Sequence, residues 1–368
     1  MSEVVSPPVR STRPRQAPAG TAGVAFASSY TALARQIKAQ RLLDRRPGSY
    51  VLRGSVLVVL FAVATTLLIT LGHTWWQLLV AVGFAALFTQ AAFLAHDSAH
   101  KQIFTSAPRG EVVSRILANL VVGLSYGWWM NKHSRHHANP NTLGRDNDIA
   151  PGAVVFVPED ATARTGFARW LTARQGYFFI PILLFAGLDL HVSAIKALAG
   201  KESVAHRVQE GVLIAVRLIG FAALVLLLLG PGLGSAFMAV QIGAFGLYMG
   251  GTFALNHTGM PLIGHDQKVD YLRRQVLTSR NIAGGWPMEK LMGGLNYQIE
   301  HHLFPNMPSA NLHRARRIVR AYCGELGVAY AEHSFSQAWR GVLRYLHRVG
   351  IGHLDPFDCP PARAFRTA

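Results

Sequence analysis

Residues 55–100 read SVLVVLFAVATTLLITLGHTWWQLLVAVGFAALFTQAAFLAHDSAH, and this stretch decides the fold. It holds two apolar runs, from about Ser55 to Leu71 and from about Trp76 to Ala95. Either run is close to the ~20 helical residues that cross ~30 Å of hydrocarbon. Only Gly72, His73, Thr74 and Trp75 part them, so the pattern predicts a tight helical hairpin. The second run ends on His96-Asp-Ser-Ala-His100. Two histidines four residues apart project from one face of a helix, one turn from each other.

A second hairpin is predicted further on, from about Val212 to Leu229 and from about Ala236 to Leu255, joined through Gly230, Pro231 and Gly232. The apolar stretch from about Tyr177 to Leu190 is shorter and runs into Asp189 and His191, which reads as interfacial or re-entrant. Neither hairpin loop contains Lys or Arg, and none lies between Arg53 and Lys101. The basic residues therefore fall on one side, which the positive-inside rule makes the cytoplasm. Arg217 is the exception, a turn and a half inside the third span; it is expected to snorkel to the interface, the alternative being that it lines an internal polar site. Gly246 and Gly250, four apart in the last span, suit close helix packing.

The fold class that follows is an all-α integral membrane protein. Four transmembrane helices in two hairpins (spans 55–71, 76–95, 212–229 and 236–255) carry a cytoplasmic helical cap holding a di-metal centre, the cap coming from segments 96–208 and 256–345. The main domain is 54–345. Residues 1–25, rich in Pro, Arg and Ser, read as a disordered basic tail, and 346–368 as a C-terminal tail. Between tail and first span, 26–53 reads as an amphipathic helix opened by Ser28 and Ser29. Its Leu33, Ile37 and Leu42 would lie on the membrane surface, with Arg35, Lys38 and Arg41 between them.

Composition supports this. The 368 residues are 50% apolar and only 15% charged, yet carry a net charge of +17. So basic a chain suits nucleic acid or anionic lipid, and four spans exclude the first and favour the second. Two cysteines, Cys323 and Cys359, are too few for an iron–sulfur cluster or a Cys-rich zinc site. The N-terminus has no early apolar run, so no cleaved leader is expected. Frequent Ala, Arg and Gly point to a bacterial source, hence the plasma membrane.

Eight of the 16 histidines fall in four places: His96 and His100; His133, His136 and His137; His257; and His301 with His302. All four adjoin a predicted membrane exit on the same side, an arrangement that chance would not produce. A structural zinc site closes with four ligands, so eight imply two metals. No His-Glu-x-x-His and no Glu-x-x-His occurs, which removes the common zinc protease and the carboxylate di-iron bundle. Two metals held by neutral imidazole at a bilayer edge suit O2 activation on an apolar substrate. Asp97, Asn131, Asp146, Asp148, Asn256 and Glu300 are candidates to orient those imidazoles through their outer N–H. His73, His191, His206, His265, His313, His333, His347 and His353 lack partners at ligand spacing.

Three of these places, His96/His100, His133/His136/His137 and Gln298/His301/His302, resemble the membrane fatty acid desaturase family, whose histidine boxes they match in order and spacing. So do Asn139-Pro140-Asn141 with Asp146 and Asp148, Asn256-His257-Thr258-Gly259, and NYQIEHHLFP from Asn296 to Pro305. The resemblance covers about residues 85–345. It implies two non-haem irons, O2 as co-substrate, a long-chain acyl group on CoA or lipid, and removal of two hydrogens from neighbouring methylenes. Gln298 stands where many members have His. That form resembles front-end desaturases or, since no fused cytochrome b5 motif is present, bacterial acyl-CoA or acyl-lipid desaturases. It leaves Gln298 to bind a metal weakly, hold a water or orient a neighbour. No flavin, nicotinamide or cluster motif occurs, so electrons would come from a separate ferredoxin, cytochrome b5 or NAD(P)H-dependent reductase. Arg314, Arg316, Arg317 and Arg320 offer such an acidic partner a basic helix, or face lipid head groups. Two alternatives remain: a hydroxylase or oxygenase of lipid or carotenoid substrates on the same scaffold, and a metal transporter, which would put its ligands at the bilayer midplane.

Overall fold

A computed structural model describes residues 19–352. In order the helices are α1 (Ala19–Ala39), α2 (Pro47–Thr70), α3 (Gln77–Ala99), α4 (Ala107–Arg115), a π-helix (Ile116–Val122), α5 (Tyr126–Ala138), a 3-10 turn (Asn147–Ile149), α6 (Pro158–Thr162), α7 (Gly166–Thr172), α8 (Gln175–Ala199), α9 (Arg207–His257) and α10 (Tyr271–Leu277). Then come β1 (Asn281–Ala283), α11 (Gly285–Leu291), α12 (Gln298–Leu303), α13 (Ser309–Glu325), β2 (Glu332–Ser334) and α14 (Phe335–Ile351). The two short strands pair in parallel.

Among the described residues four helices, α2, α3, α8 and α9, are long and apolar enough to cross a membrane. The predicted second hairpin is α9 itself, broken at Gly230, whose φ of 70° interrupts the helix just before Pro231. A left-handed residue followed by proline ends one helix and starts another, giving arms 207–229 and 231–257. The outer surfaces of these helices stay apolar and exposed, as at Val58, Leu79, Phe185 and Leu227. Lipid is the solvent that suits such surfaces. Their shared core contains Phe84, Phe88, Val225 and Phe237, with Phe84 edge-on to Phe221 and Phe237.

Three expectations change. The stretch 177–190 extends into the 25-residue α8. His191 does not end this helix, because its Nδ1 lies 2.6 Å from the Gly187 carbonyl and its Nε2 3.4 Å from that of Val122. Arg217 does not snorkel. Its Nε donates to the Val121 carbonyl at 2.7 Å, and its guanidinium lies over Phe88 and Phe221 at 3.9 and 4.4 Å. It thereby satisfies a carbonyl freed at the C-terminal end of the π-helix, where Gly123 turns the chain with φ 92°. Finally, Leu33, Ile37 and Leu42 are buried against protein. They pack with Leu272, Ile299, Leu303 and Val319 in a second core built from α1, α10, α12 and α13.

The clustered histidines come from both sets of helices, from α3, α5 and α9 and from α12 of the second core. Helix α1 starts at Ala19 rather than at the Ser28–Ser29 pair, and α14 takes up 346–351 of the expected tail. The rest of both tails, residues 1–18 and 353–368 with His353 and Cys359, lies outside the described residues. Cys323 is buried in the second core.

Candidate metal centre

Each histidine reaches the centre from an element end. His96 is in the last turn of α3 and His100 caps it, so the i, i+4 pair faces inward where the apolar helix stops. Helix α5 brings His133, His136 and His137. His257 closes α9, and the short α12 brings His301 and His302. Five ring nitrogens, from His96, His100, His133, His137 and His301, lie within 4.8 Å of one another. His136, His257 and His302 form a second group at the same limit. All eight predicted histidines are therefore brought together, in two adjoining sets.

The donor chemistry fits a metal in each set. His96 Nδ1 lies 3.3 Å from Asp97 Oδ1, His136 Nδ1 2.9 Å from Asp146 Oδ2, His257 Nδ1 3.0 Å from the Thr278 carbonyl, and His302 Nδ1 2.9 Å from Gln275 Oε1. With Nδ1–H donating outward, Nε2 keeps its lone pair for the centre. His96 Nε2 and His302 Nε2 are buried with no hydrogen-bond partner, a costly arrangement that a cation would relieve. Others converge on one another without a proton-rich partner, with His100 Nε2 2.8 Å from His133 Nε2 and His137 Nε2 3.1 Å from His301 Nε2.

Electrostatics point the same way. Burial, reinforced by the neighbouring imidazoles, holds His100, His133, His137, His301 and His302 well below the ordinary histidine pKa. They are neutral, the form that binds metal. In His136 burial acts the same way but is outweighed by Asp146 and Asp148, which raise its pKa.

The candidate orienting groups divide. Asp97 holds His96 and is itself held by Arg53 at 3.0 Å and Ser309 Oγ at 2.9 Å. Asp146 holds His136, and Asp148 lies 3.4 Å from the same nitrogen and 2.8 Å from Lys132 Nζ. Asn131 does not reach a histidine: its amide donates to the Ser203 carbonyl on the outer face of α5. Glu300 turns away too, accepting from Asn281 Nδ2 at 2.7 Å and Tyr330 OH at 2.8 Å. Burial pushes its pKa up to about 7.

Asn256 acts on Gln298. Its Nδ2 donates to the Leu295 carbonyl and to Gln298 Oε1, at 3.1 and 3.0 Å. The Gln298 oxygen is thus occupied, and its Nε2 faces His257 Nε2 at 3.0 Å. An amide N–H is a donor, so this orientation does not make Gln298 a ligand. Gln275 and the Trp129 ring, stacked on His133 at 4.4 Å, were missed, because nothing in their sequence spacing marks them.

Replacing Asp146 with Asn should loosen His136 and weaken metal binding at the three-histidine set by about 10–100-fold. Competition between Zn2+-loaded protein and a chelator measures this, and an unchanged affinity would remove Asp146 from the site.

The centre opens on a cavity of about 230 Å³ whose lining includes His96, His133, His136 and His257 together with Phe156, Phe179, Leu190 and Phe253. A smaller apolar cavity of about 60 Å³, with Phe93, Val122 and Met249, shares Trp129 and Phe253 with it.

Comparison with known proteins agrees with this geometry. A family model described as fatty acid desaturase matches residues 73–334. The "Acyl-lipid (9-3)-desaturase" of Physcomitrium patens is 32% identical over 273 residues, covering 72% of this chain and 52% of the relative. The "Delta(6)-fatty-acid desaturase fat-3" of Caenorhabditis elegans is 27% identical, covering 76% and 66%, and an "Acyl-lipid (9-3)-desaturase" of Borago officinalis is 28% identical, covering 73% and 63%. The chain thus spans about half to two thirds of the length of these relatives. All three are eukaryotic, which leaves the bacterial plasma membrane expected from composition without support. With its clustered histidines within the matched region, the chain belongs to the fatty acid desaturase family.

Proposed function

We propose that the chain is an O2-dependent desaturase that introduces a cis double bond into a long-chain fatty acyl group carried on CoA or lipid. The eight histidines would hold two non-haem irons, and a separate redox protein would supply electrons. The observation that carries this reading is the cavity, whose lining combines imidazoles of both histidine sets with aromatic and aliphatic side chains. An alkyl chain is the substrate that such walls exclude water around.

The chemistry an iron pair supplies when bound is reduction of O2 coupled to removal of two hydrogens from adjacent methylenes. Two electrons and two protons complete the balance, giving an alkene and two waters. The chain's own residues do the rest. Phe156, Phe179 and Phe253 hold the alkyl group so that one pair of methylenes faces the histidines, since methylenes are otherwise alike. Asp97, Asp146 and Gln275 keep the imidazoles aimed. For the electron donor, Arg314 and Arg317 are exposed on α13, whereas Arg316 is already paired with Glu332. Anionic lipids compete for the same charges. The basic side, with histidines and termini, would face the cytoplasm.

A host lacking competing desaturases, supplied with a compatible donor, should gain a new unsaturated fatty acid, with its bond position read by GC–MS after derivatisation. A hydroxylated product would instead assign the oxygenase chemistry. Absence of any product from iron-loaded protein with donor and acyl substrate would overturn both. Phe253 lines both cavities, so Phe253→Ala should change bond position or accepted chain length while iron content stays the same. An identical product profile would remove Phe253 from the substrate path.

A further inference from the structure

Glu210, in the first turn of α9, is 1% exposed, yet it is a carboxylate far along the chain from any histidine of the centre. Burying such a group is unfavourable unless donors meet it. Here they come from one place, the start of α5. Ser125 Oγ donates to Glu210 Oε2 at 2.6 Å, and the Gly127 amide donates to Oε1 at 3.1 Å.

The neighbouring amides are met from other directions. The Tyr126 amide donates to Asn119 Oδ1 of the π-helix at 3.1 Å, and the Trp128 amide to Ser125 Oγ at 3.2 Å. The first three amides of α5 are thus satisfied by the π-helix, by Glu210 of α9 and by the helix's own cap Ser125. A negative charge at this end also complements the helix dipole. Space is equally constrained, because a Cβ on Gly127 would meet Val204 Cγ1 at 2.7 Å and Glu210 Oε1 at 3.3 Å. A second tie from the same segment, Asn131 Nδ2 to the Ser203 carbonyl at 2.8 Å, fixes the next turn.

Helix α5, like α12, serves both histidine sets, and it gives the most ligands, His133 and His137 to one and His136 to the other. It also carries Trp129 and Lys132 on the cavity wall. A small rotation or slide of α5 would misplace three ligands at once. We infer that Glu210 is a positioning residue for both metal sites, clamping the N-terminus of α5 so that its three histidines meet those of α3, α9 and α12. This rests on the reading of the eight histidines as metal ligands.

The test uses the full chain in detergent or nanodiscs, stripped of metal and titrated with Zn2+ against a chelator, with Co2+ visible bands as a second readout. Glu210→Ala should weaken Zn2+ binding at both sets by on the order of tenfold and alter the Co2+ bands. Glu210→Gln should restore both, since its Oε1 still accepts from Gly127 and its amide can donate to Ser125 Oγ. If Glu210→Ala fails to fold, Ser125→Ala, which removes one of the two ties, should show a loss of roughly threefold by the same assay. Glu210→Ala, or in its place Ser125→Ala, that binds Zn2+ as the unaltered chain does would overturn the inference, as would a Gln variant as impaired as the Ala variant. Absence of Zn2+ binding by the unaltered chain would instead overturn the metal reading on which it rests.

Discussion

His301→Ala is expected to abolish the new unsaturated product while the protein still accumulates in the membrane fraction. His301 is 1% exposed and belongs to the five-histidine set, with its Nε2 3.1 Å from His137 Nε2. Removing a ligand should exceed the roughly 10–100-fold cost of losing an orienting partner. His136→Ala should have the same effect through the other set, which keeps only His257 and His302. His313→Ala, on the exposed face of α13, should leave the product intact. The fatty acid profile of the three strains decides the matter. Equal loss in all three would show a general intolerance of histidine replacement, and survival of product in His301→Ala would take that residue out of the centre.

The second large effect is expected far from any histidine. Helices α8 and α9 meet where Gly187 faces Gly246. A Cβ on Gly246 would lie 2.6 Å from the Leu183 carbonyl, and one on Gly187 2.5 Å from that of Ile242. Backbone cannot yield as a side-chain tip can, so Gly246→Val should cost about 3 kcal/mol or more. The damage should reach function as well, because α8 carries Phe179 and Leu190 of the cavity and α9 ends in His257. Gly220→Val is the control, since nothing lies within 4 Å of its Cβ position. Thermal unfolding in detergent compares the two, and equal melting temperatures would show that α8 and α9 are not packed this closely.

Much of this architecture could be read from local pattern. Long apolar runs, a Gly-Pro-Gly break and histidines three or four residues apart each report on a single helix, and α2, α3, the bend in α9 and both histidine boxes follow from them. What escaped depends on partners distant in sequence. Leu33, Ile37 and Leu42 form an apolar stripe that would suit lipid equally well, and only folding shows it covered by α10, α12 and α13. Arg217 reads as a snorkelling side chain because its acceptor, the Val121 carbonyl, is 96 residues away.

The same holds around the histidine clusters. Asp97, one residue from His96, was legible as its partner. Gln275, 27 residues from His302, was not. Glu300 shows the converse, since adjacency to His301 suggested contact. The Glu300 side chain points instead to Asn281 and Tyr330.

The most direct test of the two-metal account is the iron content of the full chain, purified after growth with 57Fe, together with its Mössbauer spectrum. The account expects about two irons per chain in nitrogen-rich, non-haem environments, with both lowered when His301 and His136 are replaced together. A single iron, or none in protein that is folded and loaded under reducing conditions, would contradict it.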